Sequence, residues 1–180
     1  MKKKFIINLI FIFSLYAAVF SSLIFIKAAF AISGRNGREA NAIKWESIAS
    51  AIKKNKIEKK YFLLHFYFPT CVYCIKMEKH VFNHKSLINY INKHFYPVMI
   101  DIYGNKKNLY FNGEYLSGKQ LASKFDITGT PTEVYFNSSY KKIFKLYGYW
   151  KKADFLLISE WIASGKYKTE SLRKFSRNFH

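Results

Sequence analysis

Cysteine is scarce in this chain: 180 residues contain two, Cys71 and Cys74, so all thiol chemistry rests on one pair. Acid is scarce as well, with 11 Asp and Glu against 30 Lys and Arg, for a formal net charge of +19. No nucleic-acid-binding motif accompanies that charge, so nucleic acid is not an expected partner. A c-type haem attachment is excluded, because Ile75 stands where that motif needs histidine. Lys, Asn, Ile, Phe and Tyr are abundant together, as AT-rich codon bias produces, and that is an ordinary source for the lysine excess. A basic surface would still favour anionic lipid or acidic partners and speed encounters with them.

What is present is apolar: half of the residues are hydrophobic, enough for one globular domain with a terminal extension. Residues 1–31 open with Met1-Lys2-Lys3-Lys4, run apolar from Phe5 to Ile26, and reach Ala28-Ala29-Phe30-Ala31. This is the order of a secretory signal, with cleavage expected after Ala31. The run of roughly 20 apolar residues is also long enough to remain as an uncleaved membrane anchor. Either route exports the domain, to the periplasm of a Gram-negative cell, soluble or held to the inner membrane by residues 5–26. Without the leader, 26 basic residues still face 11 acidic ones. Residues 32–40 read as a linker and 41–165 as the domain. Residues 166–180 read as a basic tail in which Leu172, Phe175 and Phe179 alternate with Lys168, Arg173, Lys174 and Arg177; fraying is expected there, with membrane-surface contact as the alternative.

Within the domain, Asn41 to Asn55 has the apolar spacing of an amphipathic helix, and Tyr61 to Phe68 is a continuous apolar run that suits a strand buried on both faces. Pro69 and Thr70 stop that strand and launch a helix to about Phe82, with the cysteines in its first turn. A helix over Ser86 to His94 and a strand over Tyr96 to Tyr103 follow. Asn112-Gly113 marks a hairpin, and Lys119 to Phe125 a short helix. Strands at Glu133 to Asn137 and Lys142 to Tyr149, and a helix over Lys152 to Ala163 ending at Gly165, complete the domain. The expected fold is α/β: a central mixed sheet flanked by helices on both faces, with an inserted β-hairpin.

Two thiols three residues apart at a helix N-terminus are suited to electron exchange. Peptide dipoles and free N–H groups favour the Cys71 thiolate, which attacks a disulfide, and Cys74 resolves the mixed disulfide. An inert staple is the competing reading, but so small a ring constrains little chain. Zinc is a second competitor, since Cys71, Cys74, His80 and His84 spell C-x2-C-x5-H-x3-H. Five residues between the pairs is too few for the usual zinc spacings, so His80 and His84 read as surface residues, and neither metal nor cofactor is expected.

The chain resembles the thioredoxin superfamily over about Asn41 to Gly165. Two separated motifs carry the resemblance: Cys71-Val72-Tyr73-Cys74, and Phe125-Asp126-Ile127-Thr128-Gly129-Thr130-Pro131-Thr132, with 57 residues from Cys74 to Pro131. The leader, the Phe66-Tyr67-Phe68-Pro69-Thr70 lead-in, the hairpin and Gly148-Tyr149 look most like exported thioredoxins of the SoxW type, and are similar to the C-terminal domain of the DsbD transporter. The resemblance implies a thioredoxin-like fold and a cis Thr130–Pro131 bond beside the cysteines. It implies that the main chain of Thr130 pairs with an extended substrate. It also implies a monomeric thiol:disulfide oxidoreductase acting on protein disulfides and recharged by a membrane electron carrier of the DsbD or CcdA type. The rivals are an oxidase or isomerase on the same fold and a non-catalytic client-binding module. His65 stands where thioredoxins carry a buried acid that helps deprotonate the second cysteine; it reads either as a general base or as a core histidine bonded to backbone. Tyr73 is expected to tune the potential or pack against substrate. Thr70 and Val72-Tyr73 depart from thioredoxin's Trp and Gly-Pro.

Overall fold

Strand β1, Tyr61–Tyr67, is the centre of the molecule, buried at Phe62 through Phe66. The computed structural model describes residues 42–111 and 113–178; the expected leader, the linker and Asn112 of the hairpin lie outside them. Strand β2, Phe95–Asp101, pairs parallel with β1, while β5, Thr132–Phe136, pairs antiparallel on its other side and β6, Lys142–Tyr147, completes the sheet. The order β2-β1-β5-β6 is a mixed sheet. Strands β3, Leu109–Phe111, and β4, Glu114–Leu116, form a separate hairpin with Gly113 at φ 89°.

The pleat divides the core in two, because successive side chains of β1 point to opposite faces. Leu63 packs with Met77, Leu87, Ile91, Phe155 and Ile158. These come from α2, Val72–His80, α3, Lys85–His94, and α5, Lys152–Ala163, so the three helices cover one face. Phe62, Leu64 and Phe66 pack with Ile48, Ala51, Leu121 and Ala122. Those belong to α1, Ile48–Asn55, and α4, Gly118–Lys124, on the other face. The span from Asn41 to His180 is a compact unit that closes both cores with its own residues.

Helix starts follow local hydrogen bonding. Ser47 caps α1 by accepting from the Ser50 amide, and Ser117 and Gln120 form a reciprocal capping box at α4. Gly118 admits no side chain, since a Cβ there would collide with the carbonyl of Asp101. The first helix is shorter than its apolar spacing suggests. Residues 43–46 are not helical: Glu46 donates its amide to the Pro97 carbonyl at 2.8 Å and bridges to Val98, covering the β2 edge.

The C-terminal segment differs from the frayed tail expected of it. After Gly165, at φ 75°, the chain makes a 3-10 turn at Lys166–Lys168 and a helix α6, Leu172–Arg177. Tyr167, Leu172 and Phe175 pack against the first core, and the Trp161 indole donates to the Glu170 carbonyl at 3.0 Å. Apolar residues in a basic amphipathic stretch thus find a core rather than solvent. Ending the chain at Gly165 should cost about 2–4 kcal/mol, the worth of three half-buried large side chains. A lowered urea midpoint checks this, and an unchanged one would restore the frayed tail.

Candidate redox site

The site begins where β1 ends. Tyr67 leaves the sheet, the Cys71 amide donates to the Phe68 carbonyl at 3.0 Å, and α2 starts immediately after. Cys71 is the N-cap residue: its Sγ accepts from the Cys74 amide at 3.1 Å, one of the N–H groups a helix start leaves unpaired. Cys71 and Cys74 are joined in a disulfide with a Cα separation of 5.2 Å.

A second segment closes over the pair. The Thr130–Pro131 peptide is cis, and the Thr130 hydroxyl donates to Cys71 Sγ at 3.3 Å. Pro131 is buried, and its carbonyl accepts from the Gly148 amide at 2.8 Å, tying it to the end of β6. Cys71 was expected at an exposed first turn, yet in the closed disulfide it is 4% exposed and Cys74 3%. The hydroxyl of Thr130 is one of the groups over it. Exposure passes to its neighbours: Val72, Tyr73 and Ile75 are 74%, 59% and 42% exposed, an apolar rim around the sulfurs. Lys76 lies 4.6 Å over the Tyr149 ring on the same side.

His65 is neither solvated nor bonded to backbone. It is 1% exposed, and its Nδ1 lies 2.8 Å from Oε1 of Glu133, directly opposite on β5 and wholly buried. Trp45, Tyr67 and Phe82 surround the imidazole. Glu133 Oε2 has no hydrogen-bond partner. Burial pushes the Glu133 carboxyl above its ordinary range, and the hydrogen bond and charge of His65 oppose that shift without cancelling it. Glu133 is the residue that sequence reading missed. Its signal was faint: a carboxylate two residues after Pro131, inside a run otherwise typical of a buried strand.

His80 and His84 do not join the cysteines; they stand at the end of α2 and before α3. Among the described residues no group of three or more His, Cys, Asp or Glu is placed to hold a metal.

The raised Glu133 carboxyl gives stability a pH dependence of definite sign. A folded-state value above the ordinary 4.5 means that unfolding releases a proton, so stability falls as pH rises from about 4.5 through the raised value. Glu133→Gln should flatten that slope in urea titrations run at successive pH values. An identical slope in the variant would show that Glu133 carries no shift. Thr130→Val, which removes the donor to Cys71 Sγ, should raise the reduced Cys71 pKa by about 0.5–1 unit, read from the pH dependence of alkylation.

A family model described as a thioredoxin-like domain matches residues 48–160. A search of curated proteins finds no match. A thioredoxin-fold protein from Helicobacter pylori is 30% identical, with 66% of this chain and 79% of that one covered at a TM-score of 0.55. A putative disulphide-isomerase from Bacteroides thetaiotaomicron is 21% identical over 73% and 98%, TM-score 0.53. The oxidised C-terminal domain of DsbD from Neisseria meningitidis is 20% identical over 64% and 90%, TM-score 0.50. The last two share the fold. With the family match covering most of the domain, and a Cys-x-x-Cys disulfide at the start of a helix beside a cis-proline, the chain belongs to the thioredoxin-like domain family and carries the chemistry of a thiol:disulfide oxidoreductase.

Proposed function

We propose that the protein is an exported reductase of protein disulfides, with Cys71 as nucleophile and Cys74 as resolving thiol. The observation that supports Cys71 as the nucleophile is the environment of its Sγ, which accepts from the Cys74 amide and the Thr130 hydroxyl at a helix N-terminus; the direction of electron flow is the proposal's own step, set by the potential. Each donor favours a thiolate over a thiol. In the reduced protein the Cys71 thiolate attacks one sulfur of a client disulfide, forming a mixed disulfide and releasing the other client sulfur as a thiolate. The Cys74 thiolate then attacks Cys71 Sγ, the second client thiol leaves, and the enzyme is left as the closed disulfide seen here. Two electrons pass to the client; two electrons and two protons must return from a membrane dithiol carrier of the DsbD or CcdA kind.

The remaining residues support that cycle. Val72, Tyr73 and Ile75 offer an apolar bed for the client's chain, and the Thr130 backbone is placed to pair with an extended segment. The His65–Glu133 pair, on the α2 side of the sheet, holds a proton inside the protein and takes the place of the single buried acid in the deprotonation of Cys74. The leader is read as the export signal, which leaves the enzyme periplasmic, soluble or anchored.

Two experiments decide the reading. Cys74→Ser should accumulate a mixed disulfide with a model protein disulfide, whereas Cys71→Ser should form none; the reverse pattern would exchange the two roles. Equilibration against glutathione and dithiothreitol, read by thiol alkylation, should give a midpoint near the thioredoxin value of about −270 mV. A midpoint near about −120 mV would make the protein an oxidase, and no reversible couple would leave only a client-binding module.

A further inference from the structure

Strand register divides the domain into two ends. The disulfide, Asp101, Pro131 and Gly148 lie where β1 and β2 finish and β5 starts. At the other end β1 and β2 begin together, with Tyr61 opposite Phe95, and the β5–β6 turn joins them through Phe62, Phe136 and Lys142. Seven residues of β1 put about 20 Å between the ends.

The far end is a concentration of lysine. Lys53, Lys54, Lys56, Lys59 and Lys60 occupy the end of α1 and the loop into β1, and Lys93 closes α3. Asn55 ties that loop to the β5–β6 turn through a 2.8 Å bond to the Ser138 carbonyl, beside Lys141 and Lys142. Lys166 and Lys168 join through Tyr167, whose ring meets that of Tyr61. Four acids accompany these ten lysines: Glu46 pairs with Lys54, Glu58 with Lys60 and Glu170 with Lys166, and Glu160 lies near Tyr90, which also neighbours Tyr61. At the disulfide end, by contrast, Glu78, Asp101, Asp126 and Asp154 are interspersed among the lysines.

Ile57 stands in the middle of the basic loop and is 89% exposed, the most exposed large apolar side chain among the described residues. The chain also enters the domain here, since the Ala42 carbonyl accepts from Asn92 at 2.9 Å and the Lys60 ammonium donates to the Asn92 carbonyl. A field of long lysines on several elements suits an extended anionic surface, and a lone protruding isoleucine suits the interfacial layer of a bilayer. We infer that this pole docks the domain on an anionic lipid surface, with Ile57 entering the interface and the disulfide facing away from the membrane. The inference is independent of the direction of electron flow.

The test uses residues 41–180 and vesicles of phosphatidylcholine with and without phosphatidylglycerol, reading the bound fraction by co-sedimentation and checking each variant's fold by circular dichroism. Binding should require phosphatidylglycerol and vanish as salt rises from about 0.1 M to about 1 M. Combined Lys53→Gln, Lys56→Gln and Lys59→Gln should weaken binding roughly a hundredfold, about fivefold per lysine, and Ile57→Ser should weaken it severalfold. Lys76→Gln, Lys151→Gln and Lys152→Gln together should change it far less. Equal losses from the two triple variants would show diffuse charge attraction and overturn the assignment. So would lipid binding indifferent to phosphatidylglycerol. Binding to polyglutamate as tight as to vesicles and unaffected by Ile57→Ser would assign the pole to an acidic protein instead.

Discussion

The antiparallel pairing of β1 with β5 is the constraint on which the site depends. The register that sets Phe66 against Thr132 brings Thr130 and Pro131 to the turn where Cys71 leaves β1. The same register sets His65 against Glu133. A slip of one residue would turn the apolar set of β1 over and separate both pairs at once. Leu63, Phe66, Val134 and Tyr135, all wholly buried, resist such a slip by packing on both faces of the sheet. Stability of the core and geometry of the sulfurs therefore have one origin.

The cost of this arrangement is concentrated in Glu133. An ionised carboxylate taken out of water is strongly disfavoured unless it is paired and fully hydrogen-bonded, and here one oxygen is paired while the other is bare. Replacing the pair with apolar residues of similar volume would relieve that penalty. Trp45, Phe82 and Tyr67 form the apolar layer around it, which is the source of that penalty. The His65–Glu133 pair is buried, whereas Val72, Tyr73 and Ile75 form the exposed rim of the disulfide.

Most of the architecture was legible because its signals are local. The run from Tyr61 to Phe68, the helix after Pro69, and the residues from Lys152 to Gly165 each carry their own periodicity or stop signal, and the elements fall within a few residues of those limits. Cys71 and Cys74 were legible from their spacing, and the Thr130–Pro131 segment through the resemblance to the thioredoxin superfamily. What was hidden is relational. His65 could be singled out as unexpected, but its partner is 68 residues away and is set by strand register, which no local pattern encodes. The tail, read as frayed, was misjudged for the same reason: Leu172 and Phe175 pack against the first core, and the Trp161 indole holds the Glu170 carbonyl before them.

Codon bias, the ordinary source read for the lysine excess, is blind to three-dimensional position. Any sorting of charge between the two ends must come from what each end tolerates. Where β1 finishes, Glu78, Asp101, Asp126 and Asp154 stand among Lys76, Lys106, Lys151 and Lys152. Where β1 begins, no reactive group constrains the surface, and lysines from α1, α3, the β5–β6 turn and the 3-10 turn outnumber the four glutamates among them. Crowding like charge at one end raises the electrostatic self-energy of the fold, and an anionic surface is the partner that lowers it. A domain so polarised would be oriented by such a surface before touching it, with the end that carries the disulfide turned away.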